Sequence, residues 1–294
     1  MAKPTPIRGL GPDSSLGEAA RRSLAGRLAD VHTHEARLQQ GQDPEAVHDL
    51  RVATRRLRAA LHVFRPLGRM KTLEREVKRF QDALGQVRDL HVQADWLDTA
   101  ARRHPQLQPG ISALRSTHLS DEEARSQRLS FEAQRWSTCT VPLLHARLKD
   151  LKDSHRFISR PIRKQLRQRL RRVDKSMAHH AETHDPATAH TLRKELKKLR
   201  YEIELLQPAR PMPDTALQVI ERLQDRLGSL HDADVRLALL EHDATQGPLP
   251  ERQAARTLLP LVREERDANA TQVEHALRHW RSDALPQTLH DTLT

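Results

Sequence analysis

The chain has 294 residues, of which 37% are hydrophobic, 30% are charged and only 3% are aromatic, and its formal net charge is +11. This length can bury one large or two modest cores; frequent Leu, Ala, Arg and Glu with only 10 Gly favours helices over strands, and the positive charge predicts a polyanionic partner. The single Cys139 excludes an intramolecular disulfide, and no apolar run approaches the about 20 residues that span a bilayer, so we expect a cytoplasmic, all-α protein without membrane contact.

The first half of the chain predicts helices that are separated by Pro, Gly and Asp. Asp43 and Pro44 start the second of them, because Asp caps helix N-termini and Pro favours the first helical position. Gly85 lies inside the third predicted helix, where a small residue allows another element to approach closely. We expect helices over about residues 14–40, 44–64, 71–103 and 109–136, then a connection over 137–159 that contains a short helix.

The second half of the chain repeats the first. Residues 43–61 read DPEAVHDLRVATRRLRAAL, residues 185–205 read DPATAHTLRKELKKLRYEIEL, and FQDALG at 80–85 recurs as LQDRLG at 223–228. The distance along the chain between the two copies exceeds the roughly 20–50 residues of common solenoid repeats. This long period favours duplication of a whole bundle. We therefore predict an all-α fold of two pseudo-symmetric four-helix bundles over 14–150 and 151–285, flexible termini at 1–13 and 286–294, and second-half helices over about residues 161–180, 186–206, 215–245 and 250–280.

A row of cations runs along the second predicted helix, beside its apolar face. The apolar face consists of residues at helical spacing, which we expect to be buried: Val47, Leu50, Leu57, Leu61 and Phe64. The neighbouring cations, here named row 1, are also three or four residues apart: His48, Arg51, Arg55, Arg58 and His62. Like charges stacked in this way repel each other, and an extended anion or a row of carboxylates would relieve the repulsion.

The second half carries two further rows. Row 2 is the counterpart of row 1, beside an expected apolar face of Ala189, Leu192, Leu196, Leu199, Ile203 and Leu206, and it consists of His190, Arg193, Lys197 and Arg200. Row 3 lies on the preceding helix: Arg160, Arg163, Arg167 and Arg171. We predict that rows 1 and 2, with Arg163, Arg167 and Arg171 of row 3, bind an anion, and that the three rows face one groove.

Internal ion pairs are the alternative to a bound ligand. An arginine-rich helix face is commonly solvated, and several carboxylates could pair with the rows: Glu35, Asp82, Asp89, Asp225 and Asp232. The repetition of the rows in both halves favours a ligand, although mixed roles stay open.

The scarcity of aromatic residues indicates which polyanion the rows bind. Proteins that bind single-stranded nucleic acid stack bases on aromatic side chains, and this chain has only one Tyr, four Phe and three Trp. Arginine grips phosphate oxygens with two hydrogen bonds, lysine adds charge, and a nearby phosphate favours protonated histidine. A long chain of phosphates fits this mixture, and nucleic acid is the alternative polyanion.

These motifs resemble the CHAD (conserved histidine α-helical domain) family over about residues 14–285. The resemblance rests on HDLRVATRRLRAAL at 48–61, LGQVRDLHV at 84–92, HTLRKELKKLRYEIELL at 190–206 and LQDRLGSLHDADV at 223–235. It implies two pseudo-symmetric four-helix bundles that bind inorganic polyphosphate, in some members at polyphosphate granules. It also implies that rows 1 and 2, apart from His62, line a basic groove or pore between the halves, with weaker roles for residues beside the rows: Arg56, Lys194 and Lys198.

Signs of metal or catalytic chemistry are weaker. The histidines of segment 179–184, including His180 and His184, are interpreted as a helix end rather than a metal site. The EREVK segment at 74–78 fits a triphosphatase ExExK pattern, but Glu74 and Glu76 would diverge on a helix. We predict a binding module without metal, cofactor or catalytic activity; a metal-dependent polyphosphate hydrolase that uses the Asp residues is the other alternative.

Overall fold

α-Helices form the regular structure of this chain. The computed structural model describes residues 4–39, 43–153, 156, 157, 159–209, 211, 214–282, 289 and 291. These ranges contain the following helices: α1 Leu16–Gln39, α2 Pro44–Val63, α3 Met70–Arg103, α4 Gln108–His118, α5 Glu122–Arg135, α6 Val141–Lys149, α7 Arg160–Thr183, α8 Pro186–Leu206, α9 Asp214–Gln246 and α10 Leu249–Ser282. No β-sheet occurs in the same ranges, so the all-α prediction is confirmed.

The helix that carries row 1, α2, begins and ends as the sequence predicts. The Asp43 side chain accepts a hydrogen bond from the backbone N–H of Glu45 at 3.1 Å, and Pro44 occupies the first helical turn. A short 3-10 turn over Arg65–Leu67 follows α2 and ends at Gly68, whose φ of +77° is a left-handed conformation that glycine adopts without strain. Asp43 and Pro44 thus mark where the helix that carries row 1 begins.

The predicted single helix over 109–136 is wrong. Two helices, α4 and α5, occupy this range and are separated by Leu119, Ser120 and Asp121. Ser and Asp favour helix ends over helix interiors because their side chains compete for backbone hydrogen bonds. A π-helical turn at Trp136–Thr140 then leads into α6, which is the short helix expected in the connection.

The chain forms two compact units. Unit 1 comprises Met1–Val92, Asp121–Leu166 and Tyr201–Pro211, and unit 2 comprises Gln93–Ser120, Arg167–Arg200 and Met212–Thr294. Row 1 therefore belongs to unit 1, and row 2 belongs to unit 2. The predicted duplication and its boundary near residue 150 stay predictions. Apart from residues 289 and 291, the predicted flexible segment 286–294 lies outside the described residues.

The core of unit 1 is built on the apolar face of α2. Every residue of that face, from Val47 to Phe64, is fully buried, as predicted. Two aromatic stacks extend this core: Phe64 lies 5.6 Å from Phe157, and Phe80 lies 5.1 Å from Trp136, measured between ring centroids. Such pairs add about 0.5–1.5 kcal/mol each beyond the burial of their area.

The core of unit 2 has two main parts. The predicted apolar face of α8 is buried over the part of the helix that belongs to this unit, from Ala189 to Leu199. A second cluster joins α4, α9 and α10 to the end of α3, through buried residues that include Leu97, Leu114, Leu240 and Leu258.

Every helix in the described ranges is too short or too polar to cross a membrane.

Candidate functional site

Row 1 lies on α2 at the edge of the unit 1 core. Its members are neither fully buried nor fully exposed: His48, Arg51, Arg55, Arg58 and His62. The adjacent positions Leu50, Leu57 and Leu61 are fully buried, so the row has hydrocarbon on one side and solvent on the other. A cation in this setting is partly dehydrated, which strengthens its attraction to an anion.

The glycine in α3 makes room for Arg51. A Cβ added to Gly85 would lie 3.3 Å from Arg51 Nε, a tighter contact than most Cβ atoms make. Arg51 Nε is buried and has no hydrogen-bond partner, and neither Arg51 nor Arg55 pairs with a carboxylate among the described residues. These two arginines are therefore charged groups at the core edge without a carboxylate partner in the part of the chain that the structure describes.

The other end of row 1 already has its anion. Glu74 of α3 lies 3.7 Å from both Arg58 Nε and His62 Nδ1, and 2.6 Å from Arg65 Nη2. Burial acts to raise the pKa of Glu74, but hydrogen bonds from His62 and Arg65 outweigh burial and hold that pKa below its usual value. Internal pairing thus accounts for this end of the row, through a carboxylate other than those expected.

Row 2 follows the same plan on α8 of unit 2. A Cβ added to Gly228 of α9 would lie 3.8 Å from Arg193 Nε, so glycine again faces the arginine that follows the histidine of the row. His190, Arg193 and Lys197 are half-buried. Arg200 is buried and pairs with Glu221, 2.7 Å away. As in row 1, a carboxylate of the following helix closes the C-terminal end.

Rows 1 and 2 each have a further basic residue beside them that sequence reasoning missed. The ring of His231 in α9 lies 4.5 Å from the ring of His190. In unit 1, Arg88 of α3 is close enough to His48 that burial and this guanidinium together lower the pKa of His48. The aligned motifs LGQVRDLHV and LGSLHDADV place Arg88 opposite His231, and this basic character at one position was the available signal.

His190 and His231 of unit 2 have strongly lowered pKa values. Burial, then the His231 ring and the charges of Lys194, Arg193 and Lys197, lower the pKa of His190 from 6.5 to about 4. Burial and the same three cations lower the pKa of His231 to about 4. Both imidazoles are therefore neutral at pH 7 in the protein without ligand.

The stability of the ligand-free protein should fall on mild acidification. Both folded-state pKa values are about 4 and lie below the ordinary 6.5, so the unfolded chain binds more protons between these limits. The contribution of the two histidines is therefore fully present above pH 6.5 and is lost as the pH falls toward 4. Thermal unfolding at pH values from 7 to 5 measures this loss of stability, and His231→Gln should make the loss smaller. An unchanged loss in the variant would contradict the lowered pKa of His231.

Row 3 is more exposed than the other rows. Arg163 is half-buried in unit 1, and Arg160, Arg167 and Arg171 are exposed. The buried arginine of α7 is instead Arg169, which pairs with Glu195 of α8 at 2.6 Å within unit 2. The prediction that the three rows face one groove stays a prediction.

The weaker candidates differ in their surroundings. Lys194 is exposed, whereas Lys198 pairs with Glu195. Arg56 is buried in unit 1, donates a hydrogen bond from Nε to Glu204 Oε2 at 3.0 Å, and lies over the Tyr201 ring. Arg56 is therefore part of the internal structure of unit 1.

Replacing Arg56 by alanine should destabilise the fold. Glu204 would be left mostly buried without this partner, and breaking a buried pair from one side costs about 3–5 kcal/mol. Denaturant unfolding should show this loss, while ligand affinity under conditions that keep the variant folded should change little. A large loss of affinity with unchanged stability would make Arg56 a binding residue.

The side chains that rows 1 and 2 present to a ligand are cationic or imidazole groups. Within the described ranges, no group of three or more His, Cys, Asp or Glu side chains converges as metal ligands. Glu74 pairs with Arg65, and Glu76 pairs with Arg135, so the two acids of the EREVK segment point to different partners. The arrangement can bind an extended anion through hydrogen bonds and charge.

Comparisons with known proteins agree with this architecture. A family model described as the CHAD domain matches residues 22–241. The crystal structure of the CHAD domain from the plant Ricinus communis is similar with a TM-score of 0.68 and 24% identity, covering 93% of this chain and 95% of that chain. PptA from Streptomyces chartreusis is similar with a TM-score of 0.65 and 18% identity, covering 90% of this chain and 100% of that chain. No curated protein sequence matches significantly.

Proposed function

This chain belongs to the CHAD domain family, and on that premise we propose that it binds inorganic polyphosphate through rows 1 and 2, with Arg163, Arg167 and Arg171 of row 3, without catalysing a reaction. The observation that carries the proposal is the pair Arg51 and Arg55, two half-buried arginines without a carboxylate partner in the described ranges. A phosphate chain would supply the anion that these guanidinium groups lack.

The shape of row 1 favours a linear anion. Arg51 and Arg55 follow each other by one helical turn, and successive turns rise by about 5.4 Å. A chain of phosphates can place an oxygen beside each guanidinium, and arginine binds phosphate oxygens with two parallel hydrogen bonds. A single small anion would reach only part of the row.

The aromatic residues favour phosphate over nucleic-acid bases. Six of the eight are buried and unavailable for stacking: Phe64, Phe80, Phe157, Trp136, Trp280 and Tyr201. Trp96 is half-buried and carries Arg236 over its ring, while Phe131 of α5 is exposed. Most of the aromatic side chains are therefore not available as stacking surfaces for bases.

The acidic residues near the glycine motifs favour binding over hydrolysis. Asp82 pairs with Lys78, and Asp234 forms a hydrogen bond of 3.1 Å with Arg266. A metal-dependent hydrolase needs such carboxylates as metal ligands. In this protein these two carboxylates instead form ion pairs with Lys78 and Arg266. The proposed place of action is the cytoplasm, at the surface of polyphosphate granules, where the ligand is concentrated.

A competition experiment tests the proposal. The protein is titrated with long-chain polyphosphate at near-physiological salt, with duplex DNA or RNA as competitor and with free phosphate measured in the same samples. The expected result is saturable binding that nucleic acid displaces poorly, without phosphate release. Salt dependence alone cannot separate the ligands, because any polyanion releases counterions on binding.

The other outcomes identify the alternatives. Displacement by equal amounts of DNA or RNA would make the protein a nucleic-acid-binding protein. Phosphate release that requires a divalent metal and scales with protein concentration would make it a hydrolase. Absence of binding by all three polyanions would overturn the proposed role of the rows.

A further inference from the structure

Two histidines one turn apart on α10 bring their ring nitrogens close together. His275 and His279 are both exposed, and their Nε2 atoms lie at hydrogen-bonding distance, 3.3 Å apart. The ring centroids are separated by 4.4 Å. Both residues belong to unit 2, and neither belongs to the three rows.

The distance between these nitrogens matches the distance between two histidine nitrogens that bind the same metal ion. Zinc lies about 2.0–2.1 Å from each histidine nitrogen, and at a tetrahedral angle two such nitrogens are about 3.3–3.4 Å apart. We propose that His275 and His279 form a binding site for a divalent transition-metal ion, which they hold through Nε2 while water or an exogenous anion completes the coordination.

A second pair with the same sequence spacing lacks this geometry. The ring centroids of His180 and His184 are 6.1 Å apart. His180 Nδ1 lies 3.0 Å from Thr188 Oγ1, and His184 Nδ1 lies 3.3 Å from Glu274 Oε1. These partners orient the two rings separately, so spacing along the helix does not by itself create a site.

A third pair has unsuitable surroundings. His190 and His231 are close, but Arg193, Lys194 and Lys197 lie near enough to lower the pKa of both imidazoles. The same positive charges would repel a metal cation. The pair on α10 has one acid and one base beside it in the sequence: Glu274, which lies 3.3 Å from His184 Nδ1, and Arg278.

The ligand set indicates the class of ion. Neutral imidazole suits Zn²⁺, Ni²⁺ and Cu²⁺, and Cu²⁺ binds most tightly among the divalent ions of this series. In the described ranges no group of three ligating side chains forms, so the ion would keep at least two positions for exchangeable ligands. This metal site does not depend on the proposed polyphosphate binding. A negative result in the test of one proposal does not affect the other.

Copper titration of the untagged full chain tests the site. At pH 7.5, calorimetry should show one Cu²⁺ ion bound more tightly than any others, and electron paramagnetic resonance should show nitrogen ligation of this ion. His275→Ala and His279→Ala should each weaken this binding on the order of 100-fold, because the second ligand acts at high effective concentration. Both positions are exposed, so circular dichroism should show unchanged helicity.

The second histidine pair supplies the matched control. His184→Ala removes one histidine of an equal spacing and should leave the tight copper site intact. The proposal is overturned if the His275 and His279 variants bind copper as the wild type does, if no nitrogen-ligated copper forms, or if His184→Ala abolishes the site.

Discussion

Replacing Arg51, Arg55, Arg193 and Lys197 together by alanine is expected to weaken polyphosphate binding by about four orders of magnitude. Each charge-assisted contact contributes about 1.5 kcal/mol or more, and about 1.4 kcal/mol corresponds to a tenfold change in affinity. The four side chains are half-buried on their helices, beside apolar faces that the substitutions leave unchanged. Calorimetric or fluorescence titration measures the affinity, and circular dichroism should show intact helicity.

A charge-matched variant separates the effect of the rows on affinity from the effect of net charge. Alanine at four exposed cations elsewhere removes the same formal charge: Arg8, Arg103, Arg128 and Lys149. This control should lose only the long-range part of the attraction, about tenfold or less. Equal losses in the two variants would mean that overall charge, rather than the rows, holds the ligand, and undiminished binding by the row variant would refute their role.

The second large expected effect is a rise of affinity on acidification. In the free protein the pKa values of His190 and His231 are about 4, so both rings are neutral at pH 7. A phosphate chain bound beside row 2 favours the protonated rings and raises these pKa values. The complex then binds more protons than the free protein, and for each proton taken up the affinity rises about tenfold per pH unit of acidification.

Exchange of one residue should reduce this pH dependence. His231→Arg gives unit 2 the basic group that unit 1 has at the aligned position, Arg88. Its charge is permanent, so the variant should bind more tightly than the wild type at pH 7.5 and gain less affinity between pH 7.5 and pH 6.

The control for this exchange adds a charge elsewhere. His145 is exposed in α6, and His145→Arg makes the same change of residue type. It should keep the pH dependence of the wild type. A wild-type affinity that does not change with pH, or a His231→Arg variant with an unchanged slope, would show that these imidazoles take no part in binding.

The sequence predicted those parts of the fold that depend on local rules. Asp43 and Pro44 start α2 because capping and proline geometry act over a few residues. The apolar spacing of α2 predicted its fully buried face, and the cations between those positions were placed at its edge. The break between α4 and α5 was missed because Ser120 and Asp121 disfavour a helix only weakly.

Contacts between helices could not be predicted in the same way. Glu74 and Glu221 close the ends of rows 1 and 2, but their role depends on how α3 and α9 pack beside α2 and α8. The purpose of Gly85 likewise appears only when Arg51 is seen against it. The pair His275 and His279 shares its spacing with His180 and His184, and only side-chain orientation distinguishes the two.

An experimental structure of the full chain with a short polyphosphate bound is the most direct test of the central claim. We expect phosphate oxygens at hydrogen-bonding distance, about 2.7–2.9 Å, from the guanidinium groups of Arg51 and Arg55 or of Arg193 with the Lys197 ammonium. Density for a phosphate chain on other surfaces, with Arg51 and Arg193 still resting against their glycines and contacting no phosphate, would contradict the account.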